Sequence, residues 1–231
     1  MNVSVIIPVL DEAAGLEAQL RRLIAIGDFH EIIVVDGGSR DGTLDTARAV
    51  ARDHDVRVLS AERGRGRQMN AGAKTATGDV LLFLHADVVP PADVVDLIRD
   101  ALKDPKTVAG AFVTWTVPAH GGVPLGPLLH LADIRSRYAD LPYGDQGLFV
   151  RAEVFCRLGG YTDIPLMEDL ELAQRLRDVG CIARVPARVH VSGRRFQARP
   201  IRYTLMVNLY PLLFRAGVSP DLLARFYGPA R

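Results

Sequence analysis

Four short apolar runs, at 3–9, 32–35, 56–59 and 80–84, alternate with stretches of helical period through the opening part of the chain. That alternation confines the fold more than any other feature. Runs rich in Val and Ile with little polar interruption suit strands covered on both faces. Between the first two, Leu16, Leu20, Leu23 and Ile24 recur at three- and four-residue spacing, and Gly27-Asp28 closes that helix. Residues 43–52 and 67–75 read as further crossover helices, followed by a helix over 93–102 and a strand over 108–117 that holds the single tryptophan, Trp115. Parallel strands need such crossovers, and right-handed crossovers lay helices on both faces of the sheet. The expected class is therefore α/β, a doubly wound, mostly parallel central sheet flanked by helices.

The apolar fraction of 48% is enough to bury a full core. Lys and Arg number 28 against 27 Asp and Glu, so no basic field of the kind that non-specific nucleic-acid binding needs is present, and small molecules are the expected partners. Cys156 and Cys181 are far apart beside apolar residues, which gives neither a disulfide framework nor a metal cluster and suits a cytoplasmic setting. The opening residues read as a first strand without basic or signal-like character. The apolar stretch at 203–214 is interrupted by Asn208 and Pro211 and is well short of the roughly 20 residues that span a bilayer. Leu205, Met206, Leu209, Leu212 and Leu213 there offer a face to the domain itself, to a dimer partner, or to the inner surface of a membrane.

Open α/β sheets bind ligands in the crevice at the carboxyl ends of their strands. Asp11, Asp36 and Asp87 each fall at such an end. Three acids gathered in one crevice suit a diphosphate whose charge is held by a divalent cation, itself held by a carboxylate on a rigid element. A second carboxylate across the crevice would take a proton from an incoming nucleophile. Glu168-Asp169, opening a helical pattern, supplies one, although an acidic first turn is also an ordinary helix start. The 64–72 segment sets Arg65, Arg67 and Asn70 in a glycine-rich approach to a helix, where guanidinium groups suit phosphate oxygens and a solvated basic loop is the alternative. Its spacing matches neither a dinucleotide fingerprint nor a Walker loop. Ser39 and Asp41, in Gly-Ser-x-Asp-Gly-Thr, favour a turn and helix cap. Residues 118–146, rich in Pro and Gly with one helix near 128–138, read either as a lid or acceptor wall or as a surface insertion.

Taken together, Ile6-Ile7-Pro8-Val9-Leu10-Asp11-Glu12, Val35-Asp36-Gly37-Gly38-Ser39-Arg40-Asp41-Gly42-Thr43, the 64–72 segment, Leu84-His85-Ala86-Asp87 and Met167-Glu168-Asp169-Leu170-Glu171-Leu172 resemble the family-2 glycosyltransferases of the GT-A fold. Tyr143-Gly144-Asp145-Gln146-Gly147-Leu148-Phe149 and the compact size are similar to the bacterial radical-SAM- and selenodomain-associated subgroup. The resemblance covers 3 to about 195. It implies a glycosyltransferase domain over 1–198, with a nucleotide-binding half at 1–90 and an acceptor half at 91–198, followed by a helical tail at 199–231. It implies that Asp87 holds Mg²⁺ or Mn²⁺ on the donor diphosphate. His85 stands where the fuller pattern has Asp; it then bonds a ribose hydroxyl or phosphate, or simply caps a strand end. Pro8, Asp11, Glu12, Asp36, Gly37 and Ala86 line the nucleotide pocket with Arg65, Arg67 and Asn70, although many members carry Asp where this chain has Gly37. Asp169 is the general base of an inverting displacement, with Glu168 beside it. His190 is a further metal ligand or a hydrogen-bonded strand-end histidine. Arg194 and Arg195 face the diphosphate, and Asp145 and Gln146 the acceptor.

The activity so implied is transfer of a sugar from a nucleoside-diphosphate donor, UDP- or GDP-linked, to a small-molecule or lipid-linked acceptor. Two other readings stand. An adaptor that kept the fold and lost the activity is left open by His85 and Gly37. A sugar-nucleotide pyrophosphorylase needs a basic glycine loop directly after the first strand, where this chain has Pro8-Val9-Leu10-Asp11-Glu12.

Overall fold

The computed structural model describes residues 1–118, 133, 141–194 and 200–227. The helix expected near 128–138 and Arg195 lie outside the described residues, Asp133 excepted. Strand β1 (Val3–Val9) pairs in parallel with β2 (Glu31–Asp36) and β4 (Val80–Phe83), and β2 pairs in parallel with β3 (Val56–Ser60). The sheet then changes character. Strand β7 (Leu148–Arg151) is antiparallel to β4 and to β6 (Thr107–Val117), β6 is parallel to β8 (Cys181–Ser192), and the short β5 (Val88–Val89) is antiparallel to β8. The eight strands run β3-β2-β1-β4-β7-β6-β8-β5.

Helices cover both faces. On one, α1 (Ala13–Ile26), α2 (Thr43–Asp53) and α4 (Val94–Ala101) bury Leu16, Leu20, Ala47 and Ile98 against Val5, Val34, Leu82 and Val189. On the other, α3 (Arg65–Thr75), α5 (Ala152–Arg157) and α6 (Glu168–Val179) bury Met69, Phe155 and Leu172 against Ile6, Val35, Leu81 and Val150. Each fully buried aliphatic side chain contributes about 1.5–3 kcal/mol, which is why strands polar on neither face dominate the centre. Each of these two apolar layers draws on residues from both expected halves of the domain. Helices α7 (Pro200–Arg215) and α8 (Pro220–Tyr227) pack Met206, Tyr210 and Leu223 on Leu166 and Met167.

Two details fix helix ends. Asp41 Oδ1 accepts the Thr43 N–H at 3.0 Å and its Oδ2 accepts the Ala13 N–H at 3.1 Å, so one carboxylate serves the starts of both α1 and α2. Gly27 closes α1 in the left-handed region, at φ 80°. At the centre of the sheet, a Cβ on Gly110 would stand 2.3 Å from Cζ of Phe149 and 2.9 Å from the Ala183 carbonyl oxygen. Neither neighbour has room to move, so Gly110→Ala is expected to cost about 3 kcal/mol or more. In a chain of this size that lowers the unfolding midpoint by roughly 6–12 °C, measurable by thermal unfolding.

Candidate active site

The carboxyl ends of β1, β2, β4, β6 and β8 lie along one edge of the sheet, and antiparallel β7 brings its amino end to the same edge. The expected acids collect there. Asp11, held at φ 53°, accepts the Arg40 N–H on Oδ1 at 2.8 Å and donates its own N–H to Ser39 Oγ at 3.0 Å. Ser39 thus serves Asp11, while Asp41 does the capping. Asp36, 2% exposed, accepts the N–H groups of Gly38 and Ser39 and fixes the turn after β2. Pro8 is half-buried on β1 beside Val35.

Gly37 has a structural cause that the sequence pattern did not display. The buried Gln68 amide donates to the carbonyls of Val9 and Val35, each at 2.8 Å, stapling β1 to β2. A Cβ on Gly37 would lie 2.9 Å from that amide. The chain therefore holds Gly37 and Gln68 as a matched pair where β1 and β2 end in the crevice.

After β4, His85, Ala86 and Asp87 form a half-buried turn closed by the Val88 N–H on the His85 carbonyl at 3.1 Å. The Ser192 N–H donates to the Asp87 carbonyl at 3.1 Å and carries the end of β8 to this turn. Arg194 follows, and its Nη2 lies 3.5 Å from Asp87 Oδ2 while also pairing with Glu12 Oε1. Glu12 and Arg194 are thus joined across the crevice mouth. His190 is exposed on β8, in register with Val89 and Trp115, while its neighbours Val189 and Val191 pack on the opposite face. Among the described residues no group of three or more His, Cys, Asp or Glu side chains is arranged to hold a metal by itself. Asp87 alone is still a fitting donor for a hard cation bound to phosphate, which takes one or two protein carboxylates and fills its remaining positions with phosphate oxygens and water.

Across the crevice, Met167 adopts φ 69° and turns the chain into α6, whose first residues are Glu168 and Asp169. Their negative charge is favoured at a helix amino end. Glu168 pairs with Arg65 at 3.2 Å; its side chain is 3% exposed and that of Arg65 31%. Asp169 is 8% exposed, and its carboxyl is pushed up to about 8 by burial, then by Glu168 and Asp145, against the opposing pull of Arg65 and the Gly144 N–H. Its Oδ1 has no hydrogen-bond partner. Burial disfavours the Arg65 charge, but Glu168 and Asp169, then Tyr227 and Asp87, hold it more firmly than usual. Arg65 thus lies within electrostatic reach of both acidic sites.

Arg67 and Asn70 are placed elsewhere. Arg67 Nε and Nη2 donate to Asp163 at 2.8 and 2.7 Å, and Nη1 donates to Glu62 at 2.8 Å. Asn70 exchanges bonds of 2.8 and 2.9 Å with the backbone of Tyr161. Residues two apart on a helix are about 200° apart around its axis, so Arg65 and Arg67 cannot face the same crevice. Both Arg67 and Asn70 instead tie α3 to the segment leading into α6. Gln146 turns inward, its Oε1 accepting the Tyr143 N–H at 2.7 Å, in the 3₁₀ turn Gly144–Gln146 that precedes β7. The same turn brings Asp145 near Asp169. Tyr161, not singled out in the sequence, is buried against Phe83 and Phe155 with ring centroids 5.0 and 5.6 Å away, and its hydroxyl has no hydrogen-bond partner. Gly144, quoted in the sequence only as part of a motif, is packed on the same carboxylate: a Cβ there would lie 2.1 Å from Asp169 Oδ2.

The chain is 34% identical over 113 residues to a dolichol-phosphate mannosyltransferase of Pyrococcus furiosus, a match covering 47% of this chain and 32% of that protein. It thus spans about a third of that relative's length. Among solved structures it resembles the mannosyltransferase PcManGT of Pyrobaculum calidifontis, in complex with GDP-Man and Mn²⁺, with TM-score 0.71 and 22% identity over 97% of this chain and 67% of that one. It also resembles the glucosyl-3-phosphoglycerate synthase of Mycobacterium tuberculosis bound to Mn²⁺, UDP and glucosyl-3-phosphoglycerate, with TM-score 0.57 and 20% identity over 89% and 78% of the two chains. These likenesses establish a shared fold. The family model for glycosyl transferase family 2 matches residues 4–141, and with the crevice just described the chain belongs to that family.

Proposed function

We propose that this chain transfers a sugar from a nucleoside-diphosphate donor to an acceptor hydroxyl by one inverting displacement. The observation that carries the reading is the meeting, at one sheet edge, of Asp87 with the buried Asp169, whose Oδ1 is unpartnered. Asp169 takes the acceptor proton as the acceptor oxygen bonds to the anomeric carbon, and the bond from that carbon to the diphosphate oxygen breaks on the opposite face. No covalent enzyme nucleophile is needed. Arg65 and Arg194 supply positive charge beside the departing diphosphate. Mg²⁺ or Mn²⁺, held by Asp87 and the donor's phosphate oxygens, would neutralise the same charge. Asp36, Asp11 and Pro8 line the nucleotide end, and the 3₁₀ turn with Asp145 borders the acceptor. The solved relatives that carry GDP-Man or UDP support a GDP- or UDP-linked donor.

Thermal unfolding with UDP, GDP, CDP and dTDP, with and without Mn²⁺, tests the donor half of this proposal. A ligand at a hundred times its dissociation constant adds about 2.7 kcal/mol, roughly 5–11 °C for a chain of this size. One nucleotide is expected to give a shift that grows with Mn²⁺, and Asp87→Ala is expected to lose the Mn²⁺-dependent part. A folded protein that no nucleotide stabilises would instead fit an adaptor without activity.

A further inference from the structure

Helix α7 is apolar on two opposite faces. Its inner face carries Met206 and Tyr210 onto Leu166 and Met167. On its outer face Ile201, Leu205, Leu209 and Leu212 are 71%, 61%, 48% and 61% exposed. At the helical period these four fall within an arc of about 80°. Leu222 and Phe226, four residues apart on α8, are 45% and 66% exposed. Six of the eight exposed large hydrophobic side chains among the described residues thus lie on this helix pair, which marks a patch and not scatter. The two helices are tied by Arg202, whose Nη2 donates to the Phe226 carbonyl at 2.7 Å.

The charge around the patch is one-sided. On α7 and α8 the charged side chains are Arg202, Arg215 and Arg225 against one acid, Asp221, in a chain whose net charge is +1. Arg202 and Arg215 fall on either side of the apolar arc, and Arg215 and Arg225 are exposed. Asn208, also beside the arc, is satisfied within its own helix by the Thr204 carbonyl at 2.8 Å. We propose that α7 and α8 lie on an anionic lipid surface, the leucine stripe and Phe226 in the acyl boundary and the arginines at the headgroup phosphates. A second copy of the chain is a poorer occupant, because pairing two such faces would bring their excess positive charges together. The helices lie along the surface: no helix among the described residues is long and apolar enough to cross a membrane.

The inner face of α7 touches Met167, the residue before Glu168 and Asp169, and Tyr227 of α8 interacts with Arg65. A surface bound by this pair therefore lies beside the turn that carries the proposed base. Docking does not depend on the transfer reading; that the acceptor is borne by the same lipid surface does rest on it.

Flotation with vesicles tests the docking. The parent chain is expected to float with phosphatidylcholine vesicles containing phosphatidylglycerol, weakly with phosphatidylcholine alone, and less as salt is raised. Leu205→Asp combined with Leu212→Asp should weaken anionic-vesicle binding by about tenfold or more, and Arg215→Glu by several-fold. Both variants change exposed positions, so their unfolding midpoints and nucleotide-induced shifts should match the parent's, which separates lost docking from misfolding and from failure of the donor reading. Parent protein that stays off anionic vesicles would overturn the proposal, as would undiminished binding by the double variant. A parent that is dimeric by light scattering, made monomeric by the double variant and indifferent to vesicles, would assign the face to a second copy instead.

Discussion

Asp169→Asn is expected to lower the transfer rate by about a thousandfold or more, at the upper part of the range that a positioned base contributes. Asparagine keeps the size and the helix position but cannot take the acceptor proton. Donor binding, read from nucleotide-induced thermal shifts, should survive. The pH dependence gives a second signature. With the carboxyl pushed up to about 8, mainly by burial and then by Glu168 and Asp145, kcat/KM should climb as pH rises through that region and level above it. The variant should lack this limb. Stability moves the other way. Between the unfolded carboxyl value of 3.8 and about 8 the folded chain keeps a proton that the unfolded chain has lost, so this group's stabilisation is complete below the lower value and fades as pH rises through the upper. Asp169→Asn should flatten that decline, measured by urea unfolding at acidic and alkaline pH. A rate loss below tenfold would remove Asp169 from the role of base.

The second large effect is expected at a residue with no side chain. In Gly144→Ala the new methyl carbon would begin 2.1 Å from Asp169 Oδ2 and 2.6 Å from its Cγ. The carboxylate must swing away, and a displacement of about 1 Å at a reacting group costs on the order of a hundredfold in rate. The backbone N–H that helps hold the ionised form would shift with it. The expected result is a rate loss of that order with the nucleotide-induced thermal shift retained, because Asp87, Asp36 and Arg65 are untouched. If the rate were unchanged, Asp169 would have room that the packing denies.

The first half of the fold is legible because burial writes itself into composition. Ile32-Ile33-Val34-Val35 can only be a strand covered on both faces, and the leucines of α1 repeat at one period from end to end. Strand β8 hides itself. Pro186 and Ala187 sit where its register on β6 slips between Phe112 and Val113, and exposed arginines interrupt the apolar pattern. Strand β7 is four residues long and announces nothing. The candidate site divides in the same way. Acids at strand ends can be read from sequence, since the topology of parallel sheets gathers those ends. Arg67 could not be separated from Arg65 by motif alone, because which way each faces depends on where α3 begins. Gly144 and Gln68 lay further out of reach: one is defined by the carboxylate packed on it, the other by two carbonyls contributed by different strands.

The left-handed backbone at Asp11 and Met167 gives the crevice a mechanical asymmetry. They are the two non-glycine residues with positive φ among those described, and each introduces acids, Glu12 on one bank and Glu168-Asp169 on the other. Such a conformation costs roughly 1–2 kcal/mol for a residue like Met167, whereas Asp11, satisfied by local hydrogen bonds, adopts it readily. Asp11 is braced only by backbone and hydroxyl groups of the loop after β2, whereas Met167 is braced by α7. The two banks are therefore held by different means, one by the loop after β2 and the other by the packing of the C-terminal helix pair.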